Sequence, residues 1–181
     1  MQFSEKFKLT KKSQNSNAIL HDVFGLDIQC GQYNDGLLYI LDDDYKNQLF
    51  YESNEGFKAN EVIAISGFGN VFSYDLDLKR FYVFEVQGNQ IYYVDLDGID
   101  DFLNNFLTHE IIEDDYLKSD YFNEIISYHH FNLQLTEILI LKPYKFLGGV
   151  DNVESYSKGD FSVFLDLVNQ NISYDAVIDR S

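Results

Sequence analysis

Val62-Ile-Ala-Ile-Ser-Gly-Phe-Gly-Asn-Val-Phe-Ser-Tyr-Asp-Leu-Asp-Leu-Lys-Arg-Phe-Tyr-Val-Phe-Glu-Val-Gln-Gly-Asn-Gln-Ile-Tyr-Tyr-Val94 is the stretch that decides the fold. It holds four β-branched and aromatic runs, at residues 62–65, 71–74, 81–86 and 91–94. The separators are short and rich in turn formers: Gly67-Phe68-Gly69-Asn70, Asp75 to Arg80, and Gln87-Gly88-Asn89-Gln90. Runs of this length with such punctuation predict antiparallel hairpins. Tyr74, Tyr82, Tyr92 and Tyr93 suit a half-buried sheet face, with the ring against the core and the hydroxyl toward water.

Outward from this stretch the texture becomes mixed. Upstream, Ile19, Leu20, Val23 and Phe24 fall at helical spacing and Gly25 ends the run. Asn34-Asp35-Gly36 is a turn signal opening a strand over 37–41, and Asp42, Asp43 and Asp44 start a helix reaching about Tyr51. Downstream, Asp97 or Asp100 begins a helix carrying Ile99, Phe102, Leu103, Phe106 and Leu107. A second helix is predicted over 116–129 and a strand over 135–141. Pro143 fixes φ, so the following Tyr-Lys-Phe-Leu is read as extended, and Gly148-Gly149 allow a sharp reversal. Asp160 then caps a helix whose Phe161, Phe164, Leu165 and Val168 stand at i, i+3, i+4 and i+7. The class is α+β, expected as an antiparallel sheet of about five to six strands with helices packed mainly on one face. Residues 1–17 read as a polar basic arm, either a short helix or partly ordered.

The chain has 181 residues with 45% hydrophobic and 17% aromatic content, enough for one packed body. Its 13 Lys and Arg face 30 Asp and Glu, a net charge of −17. Lys6, Lys8, Lys11 and Lys12 crowd the start against only Glu5, so the rest of the chain holds 9 basic and 29 acidic residues, a net of −20. Such a body repels nucleic acid and anionic membrane surfaces, and it attracts a basic protein partner. Acidity also serves plain solubility. The single Cys30 excludes an internal disulfide and reads as a buried structural thiol in a reducing cytoplasm. No apolar run follows the basic start, so no signal peptide or membrane span is expected.

Catalytic and metal constellations fail one by one. A calcium loop started at Asp95 would put Ile99, Asp100 and Phe106 where the loop needs its third ligand, its glycine and its closing glutamate. The four His have no metal-ligand spacing. His129 and His130 suit a helix end, and His109 a cap or the surface. Gly67-Phe68-Gly69-Asn70 lacks the Lys-Ser/Thr of a phosphate loop, and no nucleophile elbow or acid–base pair stands out. No catalytic residue, cofactor or metal is therefore expected. What remains is the span 95–124, with ten acids against Lys118 alone. Aromatics lie among and beside these acids. Asp95, Asp97, Asp100, Asp101, Glu113, Asp114, Asp115 and Tyr116 are the candidate interface, with charges for steering and an aromatic for burial. A solvated helix face over core aromatics gives the same pattern.

The chain resembles immunity proteins encoded beside DNase effectors of bacterial type VI secretion systems. Their C-terminal domain has a proline-led strand ending in Leu-Gly-Gly, a Val-Glu segment and a Leu-rich terminal helix. Pro143, Leu147-Gly148-Gly149, Val153-Glu154 and residues 165–168 match it. Phe164 stands where that family often has His, so no role for that His carries over. The preceding half looks like a GAD-like domain through Phe24-Gly25-Leu26, residues 34–40, and Gly67-Phe68-Gly69-Asn70-Val71-Phe72. The resemblance covers about residues 20–170. It implies a GAD-like domain over 18–107 and an immunity-protein domain over 108–175 in one compact body, with Gly67, Gly69, Pro143, Leu147, Gly148, Gly149 and Glu154 in structural roles. It further implies a cytoplasmic, non-enzymatic protein that neutralises a cognate basic toxin, a nuclease effector. The alternatives are a small hydrolase or ligand-binding domain, and a general adaptor.

Overall fold

Eight strands make one sheet in the computed structural model, which describes residues 1–49, 58–86, 88, 90–171 and 177–179. Its strands are β1 (Leu9–Lys12), β2 (Gly31–Tyr33), β3 (Leu38–Ile40), β4 (Val62–Ser66), β5 (Val71–Asp75), β6 (Arg80–Glu85) and β7 (Gln90–Val94). These pair antiparallel in chain order. A last strand, numbered β10 (Val177–Asp179), lies parallel to β7 against Gln90 to Tyr92. A separate hairpin joins β8 (Glu137–Leu141) to β9 (Tyr156–Asp160).

The alternation read in the sequence sorts side chains to two faces, because successive Cβ atoms point to opposite sides of a strand. Leu38, Ile40, Phe72, Phe81 and Val83 go to one core cluster, while Tyr39, Val71, Tyr82 and Phe84 go to the other. The first face is covered by α3 (Ile99–Asp101), α4 (Glu110–Ile112) and α5 (Ser119–His129), through Phe102, Phe106, Ile112, Leu117, Phe122 and Ile125. The second is covered by α6 (Phe161–Asn171), by Ile138 and Ile140 of β8, and by Leu49 of α2 (Asp43–Leu49). Each fully buried aliphatic or aromatic side chain contributes about 1.5–3 kcal/mol relative to exposure.

The hairpin ladder and the capped terminal helix form as read, whereas the helix at Ile99 follows Gly98 with no side-chain cap and widens after Asp101. Asp160 Oδ1 accepts the Ser162 N–H at 2.8 Å, and Phe161, Phe164, Leu165 and Val168 are all buried. Other expectations are corrected. The strand count exceeds five to six, and helices flank both faces, because β4 and its neighbours are apolar on both sides. The polar basic arm contains α1 (Phe3–Lys6) and edge strand β1, docked by the buried Phe3 and Phe7. Those two apolar residues at i and i+4 outweigh the charges around them. The proline-led segment is not extended. Strand β8 ends before the Lys142–Pro143 bond, which is cis, and a tight 3₁₀ turn occupies Lys145–Leu147. The helix expected over 116–129 starts at Ser119, because Lys118 adopts a left-handed φ of 48°. Tyr51, the expected end of the acid-started helix, and Gln87 and Asn89 of one hairpin separator lie outside the described residues, as do residues 172–175 of the second expected domain.

Candidate functional site

The acidic span sits where β7 leaves the sheet. After Val94 the chain runs through Asp95 and Leu96 to Gly98, whose φ of 153° turns it into α3. Asp101 folds back on that junction: its Oδ2 accepts the Asp97 N–H at 3.1 Å and its Oδ1 accepts Asn105 Nδ2–H at 2.7 Å. The helix then widens, with the Leu107 N–H bonded to the Phe102 carbonyl five residues back at 2.9 Å. His109 caps α4, its Nδ1 accepting the Ile111 N–H at 3.1 Å. Another wide turn over Glu113–Leu117 leads to α5.

Between β7 and these short helices lies an open groove of about 590 Å³. Tyr92, Val94, Leu96, Phe106, Ile111 and Tyr116 supply much of its apolar wall, and Asp95, Asp101 and Asp115 its acidic rim. The structure therefore gathers four expected interface residues, Asp95, Asp101, Asp115 and Tyr116, around one concavity. Asp97 and Asp100 line an adjoining hollow that shares Asp101. Asp114 faces away, toward Ser119 and Tyr121.

Glu113 also lines that distal hollow, but it is engaged within the fold. Its carboxylate pairs with Lys6 Nζ at 2.6 Å and accepts the Ser119 N–H. Burial acts to raise its pKa. The Lys6 ammonium and the Ser119 donors outweigh that and hold the group below the ordinary glutamate value. Asp95 carries the guanidinium of Arg80 at 2.9 Å, and that guanidinium lies 5.3 Å from the centre of the Tyr93 ring. Burial first, then the charges of Glu85 and Asp115, push the Tyr116 phenol up to about 12, so it stays a neutral donor at physiological pH.

Sequence reading missed Ile111 and His109 as groove residues. The signal was there. Adjacent Ile111 and Ile112 on one helical turn cannot both face the core, and the structure buries Ile112 while leaving Ile111 59% exposed.

The motif residues lie elsewhere. Gly67 donates its N–H to Leu37 and accepts from the Leu139 N–H, both at 2.8 Å, tying the sheet to β8. A Cβ there would overlap the Phe122 ring and the Gly36 carbonyl oxygen. Gly69 lies beneath Phe164. Pro143, Leu147 and Glu154 are exposed, and Gly148 closes the 3₁₀ turn with φ of 84°. Gly149 packs onto the Pro143 carbonyl so closely that no side chain fits. Cys30 is buried, and that burial pushes its thiol up to about 12, well short of a nucleophile. His129 Nε2 lies 2.8 Å from the Val153 carbonyl oxygen, and its ring stacks on Phe131 at 4.7 Å. Among the described residues no three His, Cys, Asp or Glu are placed to hold a metal ion. No helix among them is long and apolar enough to cross a membrane.

No protein-family model matches the chain, and no curated protein does. The fold recurs among solved structures. The crystal structure of Atu4351 from Agrobacterium tumefaciens superimposes with a TM-score of 0.68 at 14% identity, covering 98% of this chain and 91% of that one. At that identity the likeness extends to the architecture alone.

Proposed function

We propose that this chain is a cytoplasmic immunity protein that neutralises a basic toxin, a DNase effector of a type VI secretion system, by stoichiometric binding. One observation carries the reading: an apolar groove edged by Asp95, Asp101 and Asp115 on a chain of net charge −17. A nuclease holds phosphate with Lys and Arg. An acidic surface with aromatic anchors competes for those groups, steering the encounter by charge and holding the complex by burial. The resemblance at Leu147-Gly148-Gly149 and Val153-Glu154 supports the same assignment. In this reading the protein needs no chemistry of its own.

The test is co-expression with the toxin gene adjacent to its own. Growth is restored and a complex co-purifies. A neighbouring nuclease that stays lethal, with no complex formed, rejects the proposal.

A further inference from the structure

We infer that a small polar hollow next to the groove, between the end of β6 and the β8–β9 connection, binds a free α-amino acid with a small side chain. The inference goes beyond the proposed function and does not depend on it.

The hollow holds about 70 Å³ and lies on the first face of the sheet. Phe68, Tyr116, Leu141 and Tyr156 line it, and all four pack in that face's core cluster. Glu85 reaches it from the end of β6, where alternation sets it on the same side as Phe81 and Val83. Lys118, from the turn before α5, and Lys145, from the β8–β9 connection, complete the charged lining with Asp115 and Asp151.

Charges of both signs therefore surround one cavity, yet they do not join across it. Among the described residues, the side chains of Glu85, Asp115, Lys118 and Lys145 make no ion pair and no hydrogen bond. Asp151 differs, because its Oδ1 accepts from the hydroxyls of Tyr121 and Tyr156, each at 2.9 Å. Burial acts first on the Tyr116 phenol, and the charges of Glu85 and Asp115 raise it further, which sets both carboxylates near that hydroxyl. A ligand ammonium suits these two open carboxylates, and a ligand carboxylate suits the two lysine ammoniums. A simple anion meets three carboxylates here, and a simple cation meets two lysines. Size narrows the ligand further. A water needs about 10–15 Å³ of such space, so the hollow takes roughly five or six non-hydrogen atoms. Glycine and alanine have that size and carry both charges, and Phe68 and Leu141 offer apolar contact to a methyl group.

Full-length protein titrated with L-alanine, followed by NMR, gives the test. L-Alanine produces saturable shifts of the Tyr116 and Tyr156 ring signals in the millimolar range. Acetate and ethylammonium, each carrying one of the two charges, bind roughly tenfold more weakly. Lys145→Gln and Glu85→Gln each weaken L-alanine by roughly the same factor. Lys145 is exposed, so its variant keeps the fold, which the unchanged remainder of the spectrum verifies. The absence of a saturable shift with L-alanine, or an equal response to acetate, overturns the inference. Undiminished L-alanine binding in both variants also overturns it, since the ligand then sits elsewhere.

Discussion

The two faces of the sheet bury similar aromatic layers by opposite means. Over one face lies α6, an unbroken helix of 11 residues, capped by Asp160 and presenting Phe161 and Phe164 to the sheet. Over the other, beside the equally long α5, lie α3 and α4, three residues each, extended by wide turns and followed by the left-handed Lys118. Charge explains much of the difference. Asp97 with Asp101, and Glu110 with Asp114, stand four apart, a spacing at which like charges destabilise a regular helix. Short, widened turns let those carboxylates splay into water while Phe102 and Phe106 stay in the core. The outcome is one face closed by regular packing and one that leaves a groove. A surface dense in one charge is hard to close, and here the opening is the groove on which the proposed function rests.

The strongest way to break this comparison is to remove one apolar group from each face. Phe164 is 1% exposed and packs over Gly69, so Phe164→Ala costs about 3–5 kcal/mol. Ile111→Ala on the groove rim stays within about 0.5 kcal/mol of the parent. Urea midpoints of the two variants give the measurement. A large loss at Ile111 would mean that the groove is closed in solution and the two faces are alike.

That contrast was only partly legible in the chain. The hairpins from β4 to β7 could be read because alternation and turn residues agree at every boundary. Strand β1, Leu-Thr-Lys-Lys, could not, since an edge strand is mostly exposed and its polar composition reads as loop. Strand β9, Tyr-Ser-Lys-Gly-Asp, is likewise defined by its pairing with β8 rather than by any pattern of its own. Helices on the second face were missed because β4 is apolar throughout, and a continuous apolar run does not say which side is covered. Within the site, composition located the acidic span but could not sort it. Asp115 and Glu113 look equivalent in sequence. One stands on the groove and the other is held by Lys6, from a segment more than a hundred positions away.

That pairing sharpens the comparison further, because it makes the basic N-terminal segment part of what holds the acidic face. Lys6 Nζ bonds Glu113 at 2.6 Å, and the Phe3 N–H bonds Asn104 Oδ1 at 2.8 Å, so α1 is fastened along α3 and α4. Replacing Glu113 by Gln keeps the side chain's shape and removes its charge. The pair is partly solvent-exposed, so screening limits its contribution to about 1 kcal/mol or less. Its sign with pH follows from the direction of the shift. The native carboxyl titrates below its ordinary value of 4.5, so its stabilisation is complete above that value and disappears as pH falls through the native one. Urea midpoints for parent and Glu113→Gln therefore differ near neutral pH and converge in acid, as pH falls below the ordinary glutamate value. The neutral-pH gap also narrows as salt is added. A gap that persists unchanged in acid would show that Glu113 holds the arm by shape rather than charge. The acidic face would then owe its closure to packing, as the α6 face does.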